Sequence, residues 1–436
     1  MNKGLKKMKI RGIILFCLLF YTTSSFAENY SFGIMPTNRK SDDAITSYSE
    51  WKNRFVTSEG AGGYQRVKND SGETVSEGIG YGMLLAVFSD DKLLFNNLWN
   101  YYKLHLDPNG LMNWKIDSFG NTTGQNAATD ADQDVAFALI MAHYRWNSKG
   151  DINYLSAAKD MINKIYLYEI EAGTYVLKPG DVWGGSDVTN LSYFSPAYYR
   201  IFQGVTGNTE WSKVISKNYE ILIKSANAST GLVPDWCDVN GNKVSDANIS
   251  KYGQTFSYQY GYDAVRTPWR IALDYLWFGE QKANDFSKKI VNFVKNTIGI
   301  GNVKDGYLLD GTKTGQWHNS PFISTFAVAA MAVDSSYQSF CDEGYTESVN
   351  TSGDNYYNMS IRTLMLFVQN GKFYLYYLLG DIDYNGETDL ADVISALRIC
   401  SEIYPSALIY KADVDGDGRI SLSEAIYIIQ IVAGLR

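Results

Sequence analysis

The stretch Ser76-Glu77-Gly78-Ile79-Gly80-Tyr81-Gly82-Met83-Leu84-Leu85-Ala86 sets one carboxylate between a small residue and three alternating glycines, just ahead of an apolar helical run. Glycine permits close approach, so Glu77 is a candidate proton donor aimed at a ligand. The plain alternative is a helix-start glutamate facing the N-terminal dipole. A second acidic group follows in Ala128-Thr129-Asp130-Ala131-Asp132-Gln133-Asp134, where Thr129 or Asp130 is placed to cap the next helix. Three carboxylates at every second position exceed what a cap requires, and they cannot share one helix face, so at least one looks out of the helix mouth. The third group is Tyr260-Gly261-Tyr262-Asp263-Ala264-Val265-Arg266-Thr267-Pro268-Trp269-Arg270. Pro268 disfavours the helical region at Thr267, which places Asp263 and Arg266 in the approach to a helix. An arginine three residues from an aspartate can hold that carboxylate ionised, as a general base requires, although a structural ion pair would use the same two residues.

Two further segments carry metal-binding spacing. In Asp381-Ile382-Asp383-Tyr384-Asn385-Gly386-Glu387-Thr388-Asp389-Leu390-Ala391-Asp392, oxygen donors fall at loop positions 1, 3, 5, 9 and 12, with glycine at 6 for the sharp turn and the Glu387 carbonyl expected at 7. The same pattern recurs from Asp413 through Asp415, Asp417, Gly418, Arg419 and Ser421 to Glu424, with Arg419 at position 7. Two Ca2+ sites are therefore expected. Apolar helical runs follow each loop, at 393–399 and 425–432.

The elements that must position these groups are mostly helical. Candidate helices are 45–54, 81–88, 93–106, 131–146, 154–168, 196–206, 211–228, 268–277, 281–298, 321–332 and 356–368, joined by loops rich in Gly, Asn and Asp. Little strand signal accompanies them, so an all-α toroid with aromatic loops on one face is expected. The chain has 33 Tyr and 10 Trp, flat amphipathic rings suited to ligands with apolar faces and polar edges, sugars foremost. Trp114 lies on a turn-bounded extended piece, Trp183 beside Gly184-Gly185, and Tyr193 just ahead of Pro196. Such rings are candidate sugar platforms, or else plugs for the ends of the helical core.

With 436 residues and 45% hydrophobic content the chain can hold one large domain and a small one. A formal net charge of -8 argues against nucleic acid or an anionic membrane surface as partner and suits a neutral or cationic substrate. Residues 1–27 read as a secretory leader, with a basic start, an apolar run at 13–21 too short to span a bilayer, and Ser25-Phe26-Ala27 at the cut. Cys17 leaves with it. Cys237, Cys341 and Cys400 then allow at most one internal bridge, and Cys237 with Cys341 is permitted by the compartment without being indicated by spacing. Only His105, His143 and His318 could serve as imidazole groups, which disfavours a zinc, haem or Ser-His enzyme.

The three acidic motifs, with Ala136, Trp146, Pro268 and Trp269, together resemble glycoside hydrolase family 8, which includes endo-β-1,4-glucanases, xylanases, lichenases and chitosanases. The resemblance runs over residues 30–373. It implies an (α/α)6 barrel whose loops form a long cleft, and hydrolysis with inversion at the anomeric carbon. By motif, Glu77 is similar to the family's general acid, Asp263 to the water-activating carboxylate of its glucanase-type members, and Asp130 to the aspartate that grips and distorts the sugar. Trp114, Trp183, Tyr193, Tyr262, Arg266 and, from a loosely aligned region, Tyr357 resemble cleft residues. The duplicated calcium loops resemble a type I dockerin, a paired EF-hand-like module that docks on cohesin domains; Leu390-Ala391 and Leu422-Ser423 depart from the small-polar pair that many dockerins carry there. The implied organisation is a leader at 1–27, a catalytic domain at 28–375 and a dockerin-like domain at 376–436. The implied function is a secreted endo-acting β-1,4-glucanase, extracellular or held at the cell surface through a scaffold, whose catalytic step needs no cofactor. Inverting hydrolysis uses two carboxyls about 6.5–9.5 Å apart, one protonated and one holding water. The alternatives are a xylanase or chitosanase on the same scaffold, and a non-catalytic carbohydrate-binding subunit, which would lack one of the two carboxylates.

Overall fold

The computed structural model describes residues 29–401, 403, 412–415 and 419–435, so the leader at 1–27 and Asp417 lie outside the described residues. In chain order come α1 (Ser41–Phe55), α2 (Ser76–Phe88), α3 (Lys92–Leu104), α4 (Thr129–Trp146), α5 (Tyr154–Tyr168), α6 (Pro196–Thr206), α7 (Trp211–Ser225) and the short α8 (Asp246–Tyr252). Next are α9 (Thr267–Phe278), α10 (Gln281–Phe293), α11 (Ser320–Ala329), α12 (Gln338–Asn350) and α13 (Tyr356–Gln369), followed by α14 (Leu390–Cys400) and α15 (Leu422–Val432).

Burial sorts the first thirteen, α8 aside, into two rings. Helices α2, α4, α6, α9, α11 and α13 are buried over most of their surface, and each packs on the next until α13 returns to α2. Helices apolar on nearly every side must be enclosed, and the others enclose them. α1 packs on α13, α3 on α2, α5 on α4, α7 on α6, α10 on α9 and α12 on α11. These outer helices are amphipathic; α10, for instance, buries Ala283, Phe286, Ile290 and Val291 at spacings of three and four. The result is the expected (α/α)6 barrel. Its ends are tied across more than 300 residues of sequence by the Trp51 indole donating to Ser360 Oγ at 2.9 Å and by Ser47 Oγ with Thr363 Oγ1 at 2.8 Å.

The strands are short antiparallel braces in the loops: β1 (Val56–Thr57) with β2 (Arg66–Val67), β3 (Thr74–Val75) with β4 (Lys115–Ile116) and β5 (Thr122–Gly124), and β6 (Thr189–Asn190) with β7 (Trp236–Cys237). In register, Val75 faces Lys115 and Asn190 faces Trp236. Among the described residues no helix is long and apolar enough to cross a membrane. Cys237, Cys341 and Cys400 are all free thiols.

Several expectations are corrected. Helix α2 starts at Ser76, not at residue 81, so its three glycines lie inside the helix. Glycine there costs about 1 kcal/mol each relative to alanine, and packing accounts for their presence. A Cβ on Gly78 would sit 2.6 Å from Tyr356 Oη, one on Gly80 3.0 Å from Asp134 Cβ and 3.1 Å from Ala131 O, and one on Gly82 2.7 Å from Leu98 Cδ1. The helix thus lies unusually close to α13, α4 and α3. Neither Thr129 nor Asp130 caps α4: both are already inside its first turn, where Thr129 Oγ1 donates to Lys178 O at 2.7 Å. Thr267 is helical, at φ -55 and ψ -46, because the 3-10 turn Ala264–Arg266 runs straight into α9 and Pro268 occupies the first turn, where a missing N–H costs nothing. Helices α8 and α12 were not foreseen; α12 has few apolar residues and a weak stripe. The run at 281–298 is α-helical only to Phe293 and then widens into a π turn, Val294–Ile298.

Gly80→Ala should lower stability by about 1–3 kcal/mol, against the direction of helix propensity, because the new methyl meets α4 backbone. Urea unfolding checks this, and a midpoint at or above that of the wild type would show that α2 and α4 are not in forced contact.

Candidate active site

The start of α2 is held by the β3–β4 brace. Ser76 N donates to Trp114 O at 2.9 Å, so Glu77 follows immediately in the first helical turn with its carboxylate at the barrel mouth. Asp130 occupies the equivalent place in α4, the next inner helix. Between them lies Arg266, which is 2% exposed. Its Nη1 donates to Glu77 Oε2 at 2.7 Å, to Asp130 Oδ2 at 2.6 Å and to Tyr81 Oη at 3.1 Å, and its Nη2 donates to Ser192 Oγ at 3.0 Å. The guanidinium also lies 5.3 Å from the centre of the Tyr193 ring.

The ion pair with Asp263 that the spacing suggested is also present. Arg266 Nη2 is 3.9 Å from Asp263 Oδ1, a looser contact than those to Glu77 and Asp130. Because Asp263 and Arg266 sit on a tight 3-10 turn, the arginine points into the barrel while the aspartate, 40% exposed, stays at the surface of the cleft. One planar guanidinium bridging legs of 2.7 and 3.9 Å holds the two carboxylates no more than about 9 Å apart. Among the described residues no hydrogen bond joins them.

Asp263 is positioned from a segment the motifs did not single out. Trp236 Nε1 donates to Asp263 Oδ2 at 2.9 Å. The adjacent Asp235 accepts from Gly261 N at 3.0 Å and Ala264 N at 2.8 Å through Oδ1, and from Ser257 Oγ at 2.6 Å through Oδ2. One buried carboxylate therefore clamps the loop on both sides of Asp263. Nothing local marks Asp235-Trp236; the nearest signal is the tryptophan-rich composition.

Electrostatics separates the carboxylates. Burial pushes Glu77 up to about 7; Arg266 opposes the shift, while the negative charges of Asp130 and Asp263 add to it. Its side chain nonetheless keeps 20% of its surface open to the cleft. The other two aspartates of α4 face elsewhere. Asp134 pairs with fully buried Arg270, Oδ2 to Nη2 at 2.7 Å, and Asp132 accepts a hydrogen bond from Tyr102 Oη and is pushed by burial to about 8. The expectation that one of the three looks out of the helix mouth is met by Asp130.

Glu77, Tyr262, Asp263, Arg266, Asn355, Tyr357 and Asn358 line one open pocket of about 270 Å³. Tyr357 Oη donates to Tyr262 O at 2.7 Å, and Asn319 Nδ2 donates to Tyr262 Oη at 2.7 Å, so the far wall is stitched together. Trp114 is 44% exposed, its ring lying over Gly124, where a Cβ would be 2.4 Å from Trp114 Cε2. Asp130, Trp114, Tyr193 and Trp183 are not among that pocket's lining residues. Trp183, half-buried, packs with Trp236, Tyr252 and Phe256, its ring centre 5.8 Å from that of Trp236, the residue that donates to Asp263. A larger hollow of about 680 Å³ opens along the outer helix α12 and contains none of the motif residues.

In the C-terminal region the ligand atoms of Asp381, Asp383 and Asp392 lie within 4.8 Å of one another, as do those of Asp413, Asp415 and Glu424. The remaining predicted ligands are used differently. Asp389 and Ser421 are the N-caps of α14 and α15, each in a capping box closed by Asp392 or Glu424. Asn385 Oδ1 accepts from Glu387 N at 2.8 Å, and Glu387 is exposed. Only the backbone of Arg419 suits its position 7, because a guanidinium offers no acceptor. A separate small core of Ile382, Val393, Ala396, Ala412, Ile420, Ala425 and Ile428 holds the two helices together.

Residues 26–371 match the family described as Glycosyl hydrolases family 8. Endoglucanase 2 of Ruminiclostridium josui is 45% identical over 369 residues, 81% of this chain and 78% of its own. Endoglucanase C of Ruminiclostridium cellulolyticum is 43% identical over the same shares. The apo structure of a beta-1,3-1,4-glucanase from Paenibacillus sp. X4 superposes with a TM-score of 0.75 at 32% identity, covering 80% of this chain and 98% of that one.

Asp235→Ala leaves two loop N–H groups without an acceptor and should lower stability by about 2–4 kcal/mol. Chemical unfolding measures the loss; an unchanged midpoint would mean the loop is held by other contacts.

Proposed function

This chain belongs to glycosyl hydrolases family 8 and is an inverting glycoside hydrolase; from that premise we propose that it cleaves β-1,4-glucan within the chain, with Glu77 as general acid and Asp263 as general base. The observation that carries this reading is the pair of carboxylates facing one pocket, bridged by Arg266 at no more than about 9 Å, which inverting hydrolysis needs with water between them. Glu77, held near neutrality by burial, gives its proton to the glycosidic oxygen as the C1–O bond breaks. Asp263, open to solvent and oriented by Trp236, takes a proton from the water that forms the new C1–O bond on the opposite face. Asp130, held by Arg266 at the mouth of α4, is placed to grip the sugar at the point of cleavage. All the protons move between side chains, sugar and water, so this step calls for no cofactor. Trp114, Tyr193, Tyr262 and Tyr357 supply aromatic and hydroxyl surface for neighbouring sugars. The names of the relatives favour glucan, pure or mixed-linkage, over the alternatives of xylan and chitosan.

The reading extends to the rest of the chain. Residues 1–27 would direct export, 28–375 would form the catalytic domain, and 376–436 would form a dockerin-like module. The oxygen donors converging from Asp381, Asp383 and Asp392, and from Asp413, Asp415 and Glu424, suit a hard cation such as Ca2+. When bound, Ca2+ would supply folding free energy to the loops. Exposed Leu390, Ile394 and Leu397 on α14, and Leu422, Ile426 and Ile429 on α15, recur at matching places in the two halves. They support a docking face for a cohesin, which would attach the enzyme to a scaffold outside the cell.

Glu77→Gln should lower turnover by at least about 10²–10⁴-fold with the fold intact. Hydrolysis of carboxymethylcellulose, lichenan, xylan and chitosan is compared side by side, with the product anomer followed by NMR. Normal turnover in the variant would remove Glu77 as the acid, and a retained configuration would remove the mechanism.

The pH profile follows from the same carboxyl. Glu77 must carry its proton, so kcat/KM should fall as pH rises through about 7. Asp130→Asn removes a negative charge that raises Glu77 and frees Arg266 to favour its ionised form, so the alkaline limb should move to lower pH. A limb that stays in place would mean that Asp130 does not act on Glu77.

A further inference from the structure

The first calcium loop is seated on the catalytic barrel. At the last turn of α4, His143 Nε2 donates to Gly386 O at 2.7 Å; a carbonyl can only accept, so Nε2 carries the hydrogen and Nδ1 accepts from Ser148 Oγ at 2.9 Å. The neighbouring Tyr144 Oη donates to Asp381 Oδ2 at 3.1 Å. That same oxygen also accepts from Gly386 N at 3.1 Å. Asp381 Oδ1 is left buried and unpartnered, beside the carboxylates of Asp383 and Asp392.

The fit of the two surfaces is close. A Cβ on Gly204 of α6 would lie 2.7 Å from Asp383 O, and one on Gly386 would lie 2.9 Å from both Leu155 methyls. Tyr384, at loop position 4, takes a positive φ of 59 and packs within the barrel core rather than in the small C-terminal core. The second loop has Gly416 at that position, so it offers no ring to bury.

We propose that the barrel is a built part of the first calcium site, with Tyr144 a positioning residue that acts through Asp381. By holding Oδ2, the Tyr144 hydroxyl turns the orphaned Oδ1 toward the place where the three carboxylates converge. Outer hydrogen bonds of this kind orient metal ligands, and their loss typically weakens binding about 10–100-fold. Because Asp381, Asp383 and Tyr384 serve both as loop and as contact with α4 and α6, Ca2+ at loop one and the seating of the module on the barrel are one linked equilibrium. Calcium therefore stabilises the catalytic barrel through loop one, and the barrel in turn tightens loop one for calcium.

The inference rests on the calcium reading of the two loops. Calorimetric titration of Ca2+ into the full chain, with and without Tyr144→Phe, tests it, each also in a background of Asp413→Asn and Glu424→Gln that silences loop two. Loop-one affinity should fall about 10-fold or more in Tyr144→Phe, with loop two unchanged. The rise in the barrel's thermal midpoint on adding Ca2+ should shrink in parallel. Absence of any Ca2+ binding by the wild-type chain would instead defeat the calcium reading itself. Two bound ions with loop-one affinity unchanged in Tyr144→Phe, or equal weakening at both loops, would overturn the inference and leave that reading standing.

Discussion

One buried guanidinium organises the mouth of the barrel. Arg266 enters from the turn before α9 and meets Glu77 from α2, Asp130 from α4 and Ser192 from the loop before α6. A charge so deeply enclosed is tolerated only if it is paired and hydrogen-bonded. Pairing it with carboxylates from two inner helices also fixes where those helix mouths sit. Burial raises Glu77, and the nearby charges of Asp130 and Asp263 add to the rise against the pull of Arg266.

The barrel makes that arrangement possible by bringing helix starts to a common rim. Glycines 78, 80 and 82 let α2 lie against α13, α4 and α3 closely enough for Glu77 to share a guanidinium with Asp130. The short strands do the corresponding work in the loops, β3 with β4 fixing Trp114 beside Ser76, and β6 with β7 setting Trp236 near Tyr193. Asp235 then completes the opposite wall by gripping the backbone on either side of Asp263. Rigid helices thus carry Glu77 and Asp130, while a clamped loop presents Asp263 to solvent.

The C-terminal loops show the same economy of contact. Asp392 and Glu424 each join a cluster of converging carboxylates and also complete the capping boxes of α14 and α15, so helix start and acidic loop share a residue. The first loop goes further and shares its Asp381 with Tyr144 of the barrel. The two halves of a duplicated sequence consequently have different surroundings.

The chemistry-bearing groups were legible because their signals are local: a glutamate among glycines, aspartates at alternate positions, a twelve-residue oxygen pattern repeated, and apolar stripes at the helical period. Those patterns determined the helical fold class, most of the helices, and which carboxylates were candidates; which helices lie inside the ring was set by packing. They did not show that Arg266 also meets Glu77 and Asp130, and they missed Asp235 and Trp236. Tertiary structure decided these points because each depends on contacts between segments far apart in the chain. Glu77 and Arg266 meet across 189 positions, and Tyr144 and Asp381 across 237. Periodicity specifies which face of an element is buried, but which charge lies opposite that face, and how much water reaches it, is set only when the helices close into a ring.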